Sequence, residues 1–255
     1  MKLAFSTLGC PQWGPEQILE AARTEGYHGV ELRFLQGSLD LADVLAALPG
    51  GPGGLRRRFE EAGVAICCLD SSLVLTAPES DRQQAEQMLD LARQLGAPYL
   101  RVFGGDVPDG EPFPACLRRA AGKLADFGRL AAQRGLRVLV ETHDAFSAGA
   151  RIAELLAATG PEGTGALWDL HHPFHTGEAP AETARLIGTQ THHVHVKDAA
   201  SDGRLCLLGE GQVPLRELVG ELGRLGYQGY LSLEWEKAWH PELADPEVAL
   251  PHAAG

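Results

Sequence analysis

Short β-branched and apolar runs alternate along the whole chain with longer segments whose apolar residues recur every three or four positions. The short runs predict strands over residues 2–7, 28–33, 64–70, 98–103, 136–141, 165–169, 192–196 and 229–234. The longer ones predict amphipathic helices, among them 15–25, 80–95, 114–134 and 214–225. Gly26, Gly63, Gly96, Gly135 and Gly226 stand where helix C-caps are expected. Repeated β-α units imply a parallel sheet, and eight of them favour a closed (β/α)8 TIM barrel over an open doubly wound sheet. No glycine-rich dinucleotide fingerprint follows the first strand, which also weighs against the open sheet. Two stretches break the rhythm. The Gly/Pro-rich segment 49–54 reads as a surface loop inside the second helical region. The tail 241–255 is punctuated by Pro241, Pro246 and Pro251, so an eighth helix there must be brief. The barrel is expected to be incompletely covered at that point, which favours a homo-oligomer whose partner subunit completes the cover.

Composition narrows the picture. A chain of 255 residues, 44% of them apolar, has the usual length of one such barrel and is expected to form a single domain over 1–255. Its net charge of −12 opposes extended contact with nucleic acid or an anionic membrane surface, while leaving room for a local basic pocket that holds a small anion. The five cysteines form no Cys-x-x-Cys pair, the pattern of a reduced protein. Cys67-Cys68 reads as a buried strand pair. The start, Met-Lys-Leu-Ala-Phe-Ser, lacks the apolar core of a signal peptide, and no stretch reaches the length of a membrane span. A cytoplasmic location is the expectation.

Four of the predicted strands end in a group able to bind a divalent cation: Glu141, Asp169, His195 and Glu234. Ligands at the C-terminal ends of barrel strands converge on one point, and carboxylates with one imidazole suit Mn²⁺, Mg²⁺, Co²⁺ or Zn²⁺. Alternation along each strand tests their direction. Val138 and Val140 oppose Leu139 and Glu141; Val194 and Val196 oppose His193, His195 and Lys197; Leu231, Leu233 and Trp235 oppose Ser232, Glu234 and Glu236. With the apolar faces packed on helices, Glu141, His195 and Glu234 point into the barrel. Asp169 shares a face with Leu167 and His171, and is favoured over His171 as the ligand.

Seven segments together resemble the xylose isomerase-like barrels of the sugar-phosphate isomerase/epimerase superfamily: Gly29-Val-Glu-Leu-Arg33, Leu100-Arg-Val-Phe-Gly-Gly105, Val140-Glu-Thr-His143, Trp168-Asp-Leu-His-His172, His193-Val-His-Val-Lys-Asp198, Leu208-Gly-Glu-Gly211 and Leu233-Glu-Trp-Glu236. The resemblance spans nearly the whole chain. It implies that Glu141, Asp169, His195 and Glu234 bind one divalent cation, that Glu141 and Glu234 flank the substrate and move protons, and that His172 helps to hold the substrate's oxygens. Where ketose epimerases carry an arginine after the metal histidine, this chain has Lys197-Asp198, a departure from the free-ketose 3-epimerase pattern.

The chemistry expected of such a site is proton transfer beside a carbonyl, with a metal steadying the enediolate and Glu141 and Glu234 as the proton-transfer pair. Return of the proton to the neighbouring carbon isomerises, return to the opposite face epimerises, and loss of a β-hydroxyl dehydrates. The leading expectation is an isomerase or epimerase of a small sugar, sugar phosphate or related hydroxy-carbonyl compound. An inosose dehydratase-type lyase and a non-catalytic, metal-dependent sugar-binding barrel are the alternatives. Apurinic endonucleases share the fold, but the acidic charge and the four-ligand count argue against them. Around the four ligands, Lys197 is read as holding substrate or as a structural ion pair. Arg101 contacts substrate or pairs with Glu31. His143, His171 and His172 are donors to the site or satisfied core groups, and Glu236 is a second acid or an ion-pair member. Gly209-Glu-Gly211 is a phosphate loop or an ordinary turn, Gly104-Gly105 a turn that lets amides approach a ligand, and Trp13, Trp235 and Trp239 an apolar wall or plain packing.

Overall fold

The computed structural model describes residues 1–77 and 82–255. The strands are β1 (Lys2–Ser6), β2 (Gly29–Leu32), β3 (Ala65–Val74), β4 (Tyr99–Phe103), β5 (Arg137–Glu141), β6 (Thr164–Asp169), β7 (Thr191–Val196), β8 (Asp198–Ala199), β9 (Leu205–Cys206) and β10 (Tyr230–Leu233). β1 to β7 and β10 close into one parallel barrel, with β1 hydrogen-bonded to both β2 and β10. The short strands β8 and β9 form an antiparallel ladder above the mouth. The helices are α1 (Pro15–Thr24), α2 (Leu41–Ala47), α3 (Gly51–Glu61), α4 (Arg82–Leu95), α5 (Phe113–Ala132), α6 (Gly149–Thr159), α7 (His171–His175), α8 (Pro180–Ile187), α9 (Leu215–Arg224) and α10 (Pro246–Ala254).

Each of the eight predicted strands is present, and the five capping glycines all have left-handed φ. Val138, Val140, Val194 and Val196 pack in the layer between sheet and helices, as the alternation requires. Their neighbours Leu139, Glu141, His193 and His195 are just as buried, inside the barrel. Two boundaries differ from expectation. Segment 49–54 is not a loop: α3 starts at Gly51, and Pro52 sits in its first turn, where a missing N–H costs nothing. β3 runs to Val74, because after an irregular stretch from Asp70 it resumes pairing with Phe103. Of the predicted helix 80–95, Ser80 and Asp81 lie outside the described residues.

The final helix α10 is short and carries Pro251 inside it. It leaves a groove of about 340 Å³ between α9 and the outer face of β1 and β10, lined by Leu3, Tyr27, Val219, Leu231 and Ala253 among others.

Candidate metal centre

Four strands deliver their last residues to one point. Donor atoms of Glu141 (β5), Asp169 (β6), His195 (β7) and Glu234 (just after β10) lie within 4.8 Å of one another, and all four residues are buried. Parallel register explains the meeting, since Asp169 is level with His195 across β6 and β7, and Glu141 is level with Leu167 across β5 and β6. His195 Nδ1 lies 3.1 Å from Glu141 Oε1 and 3.2 Å from Glu234 Oε1.

A second buried layer holds the first. Glu31 accepts from both His193 Nε2 at 2.5 Å and His195 Nε2 at 2.8 Å. The ring of His195 is thereby turned so that Nδ1 faces the carboxylates, the arrangement by which outer carboxylates orient metal-binding imidazoles. Arg101 lies 3.4 Å from both Asp70 and Glu141, and stacks on Phe103 with its guanidinium carbon 3.9 Å from the ring centroid. Of the two readings of Arg101, the pair with Glu31 is not formed: Glu31 is taken by the two histidines, and Arg101 by acids on β3 and β5. Lys197 Nζ donates to Glu234 Oε2 at 2.6 Å and to Glu236 Oε1 at 2.7 Å. It also lies 2.9 Å from Asp169 Oδ2 without an aligned hydrogen bond.

The charges do not balance without help. Glu31, Asp70, Glu141, Asp169 and Glu234 are buried against Arg33, Arg101 and Lys197, two more acids than cations. Protons make up the difference. Burial pushes the Asp169 carboxyl up to about 7, with Glu234 and Glu141 adding to the rise and Lys197 and His195 opposing it. Burial and Glu31 hold Asp70 well above the carboxylate range. Against the burial of its ring, Glu234, Glu31 and Glu141 hold His195 well above the usual imidazole value. Burial also raises Glu141 and Glu234, yet the nearby cations prevail and both are held below the ordinary glutamate value. A dication fits this set. It would replace the protons, and Glu141 Oε2 and Asp169 Oδ2 are buried oxygens with no hydrogen-bond partner among the described residues.

The remaining predicted residues fall around the rim. His172 Nε2 lies 3.8 Å from Asp169 Oδ2; burial, with Lys197 beside it, keeps the ring neutral. His143 packs edge-on against His172 at 4.7 Å between centroids and pairs with Asp144 at 2.7 Å. The backbone N–H groups of His171 and His172 both donate to Asp169 Oδ1. Gly209 and Gly211 do not offer their amides to a ligand, because both donate to Asp198 Oδ2, at 2.9 and 3.0 Å. Nor do Gly104 and Gly105 open a path for one: a Cβ there would overlap Phe146 and Thr76, respectively. Trp235 is buried with its indole N–H bonded to Ala244 O, Trp13 is partly buried against the core, and Trp239 is half-exposed and packed edge-on against Phe34 at 5.3 Å. Glu31, Asp70, His193 and Arg33 were not assigned to the site from sequence. The available signal was a charge set between apolar neighbours in mid-strand (Val30-Glu31-Leu32) and a second histidine on the same face as His195.

The model of the xylose isomerase-like TIM barrel family matches residues 19–253, and the chain belongs to that family. Over 211 residues it is 28% identical to a Streptomyces coelicolor protein assigned provisionally as a hydroxypyruvate isomerase, covering 73% of this chain and 75% of that one. It is also 28% identical to inosose dehydratase 2 of Bacillus cereus over 170 residues, 57% of this chain and 56% of the relative. Among solved structures, the IolI protein with a bound zinc atom superposes with a TM-score of 0.82 at 17% identity, over 99% of this chain and 95% of that one. L-ribulose 3-epimerase superposes with a TM-score of 0.81 at 18% identity, over 99% and 91%. The relatives are thus sugar isomerases, epimerases and dehydratases, and the chain is an enzyme of this superfamily. Among the described residues no helix is long and apolar enough to cross a membrane.

Proposed function

We propose that the protein is a divalent-metal-dependent isomerase or epimerase of a small hydroxy-carbonyl compound, a sugar or sugar phosphate in the broad sense. The observation that carries this reading is the convergence of Glu141, Asp169, His195 and Glu234 within 4.8 Å, with buried carboxylate oxygens of Glu141 and Asp169 that have no hydrogen-bond partner among the described residues. These four residues would hold the ion. Bound there, a divalent cation would polarise a substrate carbonyl and so acidify the neighbouring C–H. Glu141 and Glu234, both favoured as carboxylates at neutral pH, are the groups that take and return the proton. Arg101 holds Glu141 from behind and Lys197 holds Glu234, so each base keeps its direction as its charge changes. His172 and His143 line the rim as neutral or switchable donors for substrate hydroxyls.

A second reading, dehydration, has one supporting observation. Lys197 is buried among acids; burial works against its charge, yet Asp169, Glu234 and Glu236 hold the ammonium protonated, so a fixed positive charge able to hydrogen-bond a leaving hydroxyl stands beside the bases. The inosose dehydratase relative points the same way.

Metal analysis by mass spectrometry on protein purified without chelator, followed by Mn²⁺ titration, tests the site. About one ion per chain, lost in His195→Ala, supports it. No ion and no Mn²⁺ binding would remove the reading. Incubating sugars in D₂O then separates the chemistries: deuterium uptake without water loss marks isomerisation or epimerisation, and a conjugated product absorbing in the ultraviolet marks dehydration. A cytoplasmic location and a homo-oligomer complete the proposal. The groove beside α10 supports the oligomer, and light scattering on the purified protein tests it.

A further inference from the structure

One buried cation in the mouth has no acid to hold. Arg101 is paired with Asp70 and Glu141, and Lys197 with Asp169, Glu234 and Glu236. Arg33, which follows β2 directly and is only 6% exposed, makes no ion pair among the described residues. Among the described residues its one side-chain hydrogen bond runs from Nη1 to the exposed Ser72 Oγ, at 3.0 Å. The backbone beneath it is fixed, because the amides of Arg33 and Phe34 both donate to Thr7 Oγ1, at 2.9 and 3.0 Å. The side chain is therefore presented from a rigid strand end.

A guanidinium so buried and unpaired is costly unless something compensates it. Burial and the charge of Arg101 push it down to about 10, and only the more distant fields of Asp70, Glu141 and Glu234 oppose them. Those fields belong to the surplus of acid in the mouth. A dication taken up by Glu141, Asp169 and Glu234 would offset that surplus, and the Arg33 guanidinium would keep only Ser72 in contact, with no carboxylate against it. An anionic group on the substrate would supply the counter-charge.

The kind of anion follows from the donors present. Gly209 and Gly211, whose loop is the usual place for a phosphate in such barrels, already spend their amides on Asp198. What remains is one guanidinium and one hydroxyl, a single positive charge that matches a monoanion better than a phosphate dianion. We propose that Arg33, with Ser72 beside it, docks a carboxylate of the substrate, so that the substrate class is a hydroxy-carbonyl acid rather than a neutral sugar or a sugar phosphate. The assignment rests on the metal-dependent reading above and narrows it.

Calorimetric titration of the Mn²⁺-loaded protein with three probes tests it: hydroxypyruvate, dihydroxyacetone, which differs by a hydroxymethyl in place of the carboxylate, and dihydroxyacetone phosphate. The wild-type protein should bind hydroxypyruvate about tenfold or more tightly than either of the others, as one charge-assisted pair implies. Arg33→Met should abolish that preference, with less than about twofold change for dihydroxyacetone and an unchanged Mn²⁺ affinity. Arg33→Lys should restore part of it. Equal binding of hydroxypyruvate and dihydroxyacetone, a preference that survives in Arg33→Met, or tighter binding of the phosphate would each overturn the carboxylate assignment while leaving the metal site standing. The comparison of probes on the wild-type protein decides the matter even if Arg33→Met does not fold. Failure of Mn²⁺ to bind, or of all three probes to bind the loaded protein, would overturn the functional reading and this proposal together.

Discussion

Asp169 and Asp198 are both buried aspartates at the mouth of the same barrel, and they do opposite things. Asp198 is saturated. Its Oδ1 accepts from Ala199 N and Val213 N, its Oδ2 from Gly209 N and Gly211 N, at 2.9–3.1 Å. A carboxylate that ties four amides of one loop is a structural clamp. Asp169 spends one oxygen on the first turn of α7 and leaves the other without a hydrogen bond. The difference shows that burial of an acid does not mark a site; an unspent oxygen on a buried acid does.

The largest contrast should come from removing each acid's charge. Asp169→Asn should lower divalent-metal affinity by about a hundredfold or more, since it loses a ligand rather than an outer partner, and activity should fall with it. Metal titration measures it; full occupancy in the variant would remove Asp169 from the ligand set. Asp198→Asn should leave metal affinity within a few-fold.

The same pair differ in pH response. Asp169 has a folded pKa of about 7 against an ordinary value of 3.8, so its proton is held more tightly in the folded than in the unfolded chain. The contribution is complete below about 4 and is lost as pH rises through about 7. In metal-free protein, the stability of wild type relative to Asp169→Asn should therefore fall between pH 5 and pH 8, read as the difference in denaturation midpoints. With metal added the trend should reverse, because binding needs the deprotonated carboxylate. A flat difference would mean that Asp169 carries no proton at pH 5.

Stability is where Asp198 should dominate. Asp198→Ala strands the buried amides of Ala199 and Val213 and releases those of Gly209 and Gly211 toward water, and a loss of about 2–4 kcal/mol is expected from the cost of unpaired buried groups. Gly211→Ala attacks the clamp from the other side, since its Cβ would overlap Asp198 Oδ1; overpacking of this kind costs about 1–3 kcal/mol. Urea unfolding measures both. If either variant lost its metal while remaining fully stable, the clamp would belong to the site after all.

Sequence periodicity reached the barrel and the inward direction of Glu141, His195 and Glu234 because both depend on a strict rule, alternation along a strand, applied to strands with clear apolar faces such as Arg137–Glu141 and Thr191–Val196, whereas Asp169 is less clearly marked. It did not reach partners across the barrel. That Glu31 meets His193 and His195, rather than Arg101, depends on β2 facing β7 through the interior, a relation set by the closure and tilt of the sheet and not by any local pattern. The 49–54 segment misled for a local reason. Its glycines and proline suit a loop, yet Pro52 is equally suited to the first turn of a helix, and the buried Leu55 and Phe59 that follow decide for the helix.

Glu31 offers the finest test of the contrast between clamp and site, because it is saturated like Asp198 yet touches a ligand like Asp169. Its carboxylate accepts from His195 Nε2 and leaves Nδ1 turned toward Glu141 and Glu234. Glu31→Gln keeps an acceptor of the same shape while removing the charge that strengthens the imidazole as a ligand. An outer partner of this kind changes metal affinity by about 10–100-fold, and the conservative amide should lie near the lower end, about tenfold. Glu31→Ala should cost more, since it also frees the ring to turn and strands His193. A graded series, wild type over glutamine over alanine, in Mn²⁺ titrations would place Glu31 with the site. Equal affinities in all three, with a loss of stability only, would place it with Asp198 as a clamp.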